Sequence, residues 1–139
     1  MSTDTNNDIQ VLYDKINSKI SDYIMSTFLF HDVLLSKGYK NATIVEGYFL
    51  INQQNMKIGR YTIWVNVDNK DYHTFPEQYK HILNIISLSN TLPEDYKEIE
   101  DGKDIVKGFY DNYKKNSRDF WNKVPTRIQL LRKLLKRQK

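Results

Sequence analysis

The chain contains no cysteine, only three prolines and five singly scattered glycines among its 139 residues. Without cysteine there is no disulfide framework, no thiolate metal site and no thiol catalysis. Glycines that never cluster leave no phosphate-cradling loop, which argues against nucleotide-dependent catalysis. No apolar run approaches ~18 residues, so no segment reads as spanning a membrane. Met1 to Asn7 is polar and lacks the pattern of a signal peptide, so an intracellular, cytoplasmic setting is expected. The three histidines, His31, His73 and His81, show no metal-ligand spacing, and no cofactor is expected.

What is present is the composition of a globular protein: 40% hydrophobic residues, 13% aromatic residues and ten tyrosines. The length suits one domain with a proper core, preceded by a mobile tail at residues 1–7. Ile9, Leu12, Ile16 and Ile20 mark a first helix. A second runs from Asp22 to Lys37, with Ser21 or Asp22 as its cap and Ile24, Phe28, Leu29, Val33, Leu34 and Leu35 lining one face. Gly38 ends it in the left-handed conformation that glycine adopts cheaply. Thr43 to Ile51 reads as a central strand with two largely apolar faces. Tyr61 to Asp68 alternates as a second strand, and Asp68-Asn69-Lys70-Asp71 supplies turn residues before a short third strand, Asp71 to Phe75.

Beyond Pro76, the spacing of Tyr79, Ile82, Leu83 and Ile86 predicts a helix through about Leu88. Residues 87–104, with six acids, a proline and a glycine, read as a surface loop. Ile105, Val106, Phe109, Tyr110 and Tyr113 predict a helix, Ser117 caps a short one carrying Phe120 and Trp121, and Thr126 caps a last one. The expected fold is α+β: a small antiparallel sheet packed by the Asp22–Lys37 helix and covered by C-terminal helices.

The order LLSKGYKNATIVEGYFLI followed by YTIWVNVDNKDYHT resembles the transglutaminase-like branch of the papain-type cysteine enzymes. Leu34, Leu35, Gly38, Val45, Gly47, Tyr48, Trp64, Val65 and Tyr72 match that outline, over residues 21–75. The resemblance implies a helix with a nucleophilic cysteine at its start, a strand beginning His-x-Trp and a short strand with an aspartate. Here those positions hold Tyr23, Thr62 and His73. Tyrosine has a reference pKa near ~10 and threonine cannot shuttle a proton at neutral pH, so neither replaces a thiolate–imidazolium pair. The resemblance therefore implies a non-catalytic member, a pseudoenzyme, with a former cleft at Tyr23, Tyr61, Trp64 and His73 that holds a protein or peptide partner.

The last segment, TRIQLLRKLLKRQK, places six of the twenty-one basic residues in fourteen positions with no acid. Removing those six takes the net charge from +4 to −2, so the basicity is local. Ile128, Leu131, Leu134 and Leu135 are expected on one side of a helix and Arg127, Arg132, Lys133, Lys136 and Arg137 largely on the other. Such a helix suits nucleic-acid phosphates, an anionic membrane surface, an acidic partner groove, or plain solvation. Glu46, Asp68, Asp71 and His73 on neighbouring strands are read as turn chemistry and solvated edge charges, with convergence as oxygen and nitrogen ligands the lesser alternative, and no metal site is expected.

Overall fold

The computed structural model describes residues 2–53, 56–74, 84–87, 92–100 and 102–138. Its centre is a helix that has almost no solvent-facing side. Asp22 starts it, its carboxylate accepting from the amides of Ile24 (3.0 Å) and Met25 (3.2 Å). Gly38, at φ +96°, stops it. There the Tyr39 amide reaches the Leu34 carbonyl and the Gly38 amide the Leu35 carbonyl, the paired bonds of a Schellman motif. Between these caps, the unbroken run Ile24 to Phe30 is buried, together with Val33 and Leu34. Seven consecutive residues cover a helix all the way round, so it needs neighbours on every side. Of the single apolar face expected from the spacing, Leu35 is instead 43% exposed at the last turn, and the rest is only part of what is buried. Ser26 and Thr27 fall inside the run and are satisfied locally, Thr27 by the Tyr23 carbonyl (2.9 Å) and Ser26 by the Ile20 carbonyl (3.4 Å).

In chain order, α1 is Ser2–Lys19 and the central helix, α2, is Tyr23–Ser36. The strands are β1 (Thr43–Gln53), β2 (Met56–Val67), β3 (Lys70–Tyr72), β4 (Asn84–Ser87) and β5 (Lys97–Ile99). Three helices follow: α3 (Lys103–Lys115), α4 (Ser117–Lys123) and α5 (Thr126–Arg137). The α+β class stands. Helix α1 begins at Ser2, inside the segment expected to be a tail; no proline or glycine interrupts the chain before Lys19. Ile9, Leu12, Ile16 and Ile20 are buried against α2 as their spacing requires.

The sheet runs β3-β2-β1-β4, all antiparallel, with β5 added in parallel beside β2. β1 is central, between β2 and β4. The β1–β2 ladder is longer than expected: it continues from Thr43↔Asn66 to Gln53↔Met56, taking in polar residues that read as a connection. Ile51↔Ile58 anchors that outer part, and backbone pairing does not require apolar side chains. Asp68 (φ 53°) and Asn69 (φ 63°) form the two-residue turn into β3, both left-handed as a hairpin turn demands. This short third strand ends at Tyr72, with His73 and Thr74 beyond it.

Four further expectations change. Residues 84–87 are a strand paired with β1 rather than the end of a helix, because β1 has a free edge there and four residues are too few for a helical period to hold. The rest of that expected helix, 77–83 with His81, and Leu88 lie outside the described residues, as do Phe75, the expected end of the third strand, and Pro76. Within the acidic stretch read as a loop, residues 97–99 pair with Ile58–Arg60. At the helix caps, α4 is capped by Asn116, which accepts from the Asp119 amide (3.1 Å), not by Ser117. Thr126 is the first residue of α5, with Pro125 before it and no side-chain cap.

The helix-facing side of β2, Tyr61, Ile63, Val65 and Val67, packs with α1 and α2. On the far side of α2, Phe28 is fully buried among the rings of Tyr113 (4.9 Å) and Phe120 (5.0 Å), tying α3 and α4 to it. Next to this cluster, His31 bridges three elements. Its Nδ1 meets the Tyr113 hydroxyl (2.7 Å) and its Nε2 the Ala42 carbonyl (3.1 Å). A carbonyl only accepts, so Nε2 carries the proton and Nδ1 accepts from Tyr113.

Burial pushes the His31 imidazole below its ordinary 6.5, partly offset by the Ala42 bond and the Asp32 charge. Burial also lowers His73. A folded-state value below the unfolded one means the unfolded chain binds the extra proton. Stability from both groups is therefore complete above their ordinary 6.5 and is lost as pH falls through the lower folded values. Denaturant unfolding across this range should show a falling midpoint on acidification. The slope should be shallower in His31→Gln; a flat profile would contradict the buried neutral imidazoles.

Candidate functional site

The positions singled out by the resemblance are spread along β2. Tyr23 is the first residue of α2, half-buried, its ring 6.2 Å from Phe49. Phe49 pairs with Arg60. His73 lies beyond β3 with its ring 4.8 Å from Trp64, four residues further along β2. At ~3.3 Å per residue those two meeting points are about 13 Å apart along the strand. Thr62 is fully buried, its hydroxyl 3.4 Å from the Ile63 carbonyl. Tyr61 and Trp64, also buried, point to opposite faces of β2, because an odd and an even position alternate.

Several polar groups of these strands are held by structural partners. The Tyr61 hydroxyl donates to Glu46 (2.8 Å), with the Lys107 ammonium 5.4 Å from its ring centre. Burial and that carboxylate push the Tyr61 hydroxyl well above its ordinary value. Trp64 Nε1 (3.0 Å) and Asn66 Nδ2 (2.9 Å) both donate to Asp71. Asp68 accepts from Asn41 (2.7 Å). Glu46, Asp68 and Asp71 therefore sit in separate networks, while His73 lies against Trp64 and feels the charge of Asp71. Among the described residues no three His, Asp or Glu side chains are placed to hold one metal ion.

The basic segment is different. Helix α5 docks on α2 through buried Ile128 and Leu135, with Leu131 packed beside them. Arg132 Nε (2.6 Å) and Lys136 Nζ (3.0 Å) both reach Oδ2 of Asp32 in α2, a mostly buried carboxylate. The Arg132 guanidinium also stacks 4.7 Å from the Trp121 ring. The segregation expected for this helix is thus only half realised. Two of its cations face inward because Asp32 waits there, and Leu134 (52% exposed) joins Leu130 (61% exposed) on the outer side. Nothing in the spacing of α5 alone reveals this, since the deciding carboxylate is a hundred residues away.

Outward-facing Arg127, Lys133 and Arg137 surround those two leucines. Among the described residues none forms an ion pair with these three cations. The whole helical layer carries the same sign. Residues 102–138 hold eleven Lys and Arg against three Asp, a net +8, whereas residues 1–101 hold nine cations against fourteen acids, a net −5. At the end of α5 a cavity of about 610 Å³ opens between α1, α2 and α5, lined by Lys15, Lys37, Lys136 and Arg137 with Asp8 opposite. Lys15 and Lys37 both bond to Gln138 there, so this cavity helps fasten the end of the chain.

Comparison of the chain with family models, curated proteins and solved structures finds no match in any of the three.

The two kinds of cation separate by experiment. Arg132→Ala leaves Asp32 with only Lys136 in a mostly buried site, and should lower unfolding free energy by about 2 kcal/mol. Lys133→Ala, one residue away and exposed, should stay within ~0.5 kcal/mol of the parent. Urea denaturation of both variants measures this; equal effects would remove the distinction.

Proposed function

We propose that this chain is a non-catalytic binding or assembly protein that engages its partner through the outer face of its C-terminal helices. The observation that carries the reading is the α5 surface, where Leu130 and Leu134 are exposed between three cations with no ion-pair partner among the described residues, on a layer of net +8. An exposed apolar pair in a field of one sign offers contact area and steering together. A protein or peptide partner of acidic character fits best. Nucleic acid, or an anionic membrane surface, reached through residues 127–139 is the alternative.

The absence of catalysis is read from the side chains themselves. No thiol exists in the chain. Burial pushes the Tyr61 and Tyr113 hydroxyls up and the His31 and His73 imidazoles down, so all four are neutral near pH 7. His31 is spent on Tyr113 and Ala42 rather than on activating a nucleophile. Descent from a transglutaminase-like scaffold that has lost its reactive set belongs to the same proposal. It is supported by α2, ending at Gly38, lying against β1 and β2.

Reversing the three outer charges together, Arg127→Glu, Lys133→Glu and Arg137→Glu, tests the surface without touching the Asp32 pairs. Binding is measured by fluorescence anisotropy to a polyglutamate peptide, a DNA duplex and a single-stranded RNA, and by sedimentation with phosphatidylserine–phosphatidylcholine vesicles. The parent should bind the acidic peptide in a salt-dependent way, and the variant, with unchanged circular dichroism, should lose it. Unaltered affinity for every probe would refute the surface; preference for nucleic acid or vesicles would favour the alternative.

A further inference from the structure

At the start of α5 the cationic strip runs into a recess of a different kind. A cavity of about 250 Å³ opens between the N-terminus of α2, α3, α4 and α5, lined by Met25, Phe109, Phe120, Val124 and Ile128. Arg127 belongs to both features: it lies on the outer face of α5 and on the rim of this cavity, with Lys123 beside it. The Asp22 carboxylate at the other side of the mouth is engaged in capping α2. Phe109, 43% exposed, stands at the opening with its ring edge-on to Phe120 (6.4 Å). One turn before it on α3, Ile105 is 65% exposed. Apolar surface therefore continues outward from the recess along α3, while cations continue along α5.

We propose that this recess is the anchor pocket for an acidic protein segment, which inserts one large apolar side chain between Phe109 and Ile128. Its carboxylates lie along Lys123, Arg127 and Lys133. The inference rests on the binding reading above and names the partner's chemistry. Size and shape select the occupant. The cavity falls below the ~300–1,000 Å³ of small-molecule sites, and suits a single side chain delivered by a longer ligand. A membrane surface presents no protruding residue to fill a recess and is met by apolar side chains that stand out from the protein. Nucleic-acid phosphates would use the cations and leave both the pocket and Leu130 and Leu134 uncovered. An acidic segment with apolar residues at helical spacing satisfies pocket, leucines and cations at once, as in helix-in-groove recognition.

The probe is a fluorescein-labelled peptide with glutamates on one helical face and leucines with one central phenylalanine on the other. Its control has every apolar residue replaced by serine, with the charge unchanged. The 139-residue chain should bind the amphipathic peptide at least about tenfold more tightly than the control, the scale of burying one aromatic side chain. Phe109→Ser should remove most of that difference without altering thermal unfolding. Amide shifts on titration should centre on Met25, Phe109, Phe120 and Ile128. Equal binding of both peptides, abolished by charge reversal on α5, would overturn the pocket while leaving the basic surface in place. Binding of neither peptide would overturn the pocket, and failure of every anionic probe as well would overturn the surface reading too. Tighter binding of the amphipathic peptide with shifts confined to Leu130 and Leu134 would place the apolar contact on the strip and also overturn it.

Discussion

The constraint on which the structure depends is the all-round burial of α2. A helix that is buried through seven consecutive positions cannot rest on one surface; it must be enclosed. The sheet takes one side through Ile63 and Val65, α1 a second through Ile9, Leu12 and Ile16, and the aromatic cluster of α3 and α4 closes around Phe28. The polar residues of α2 then acquire fixed duties. Asp22 caps it, His31 joins it to α3 and the start of β1, and Asp32 receives α5.

From this enclosure the surface chemistry follows. Asp32 draws Arg132 and Lys136 inward, which fixes the rotation of α5 about its own axis. With those two turned in, Leu130 and Leu134 are turned out among Arg127, Lys133 and Arg137. The same rotation carries Arg127 to the mouth of the apolar recess. One buried carboxylate thus connects the core to the face assigned to binding. The aromatic stack of Arg132 on Trp121 supports that geometry, since a guanidinium over an indole is held by both charge and contact area.

Local signals made the centre of the fold legible. Asp22, Gly38 and the Asp68-Asn69 turn are punctuation whose meaning depends on nearby backbone, and each sits where its chemistry says. The β-branched, aromatic run of β1 was enough to place it centrally. What could not be read depends on partners distant in the chain. β4 and β5 exist because the edges of β1 and β2 are available to them, and neither four nor three residues announce that. The site was less legible still. The outline of Leu, Gly, Tyr and Trp positions led to Tyr23, Tyr61, Thr62, Trp64 and His73, most of which are consumed by packing. The recess was visible only as Phe109, Phe120 and Ile128 in three predicted helices, with nothing to say that they meet. The split of the α5 cations needed Asp32, whose place next to them is a product of the fold.

Native-state hydrogen exchange on α2 tests the central claim most directly. If α2 is enclosed by every other layer, the amides of Phe28 to Leu34 should open only when the whole protein unfolds. Their exchange free energy should then match that from denaturant unfolding within about 1 kcal/mol. Exchange of those amides through local opening, at a free energy well below the global value, would contradict it.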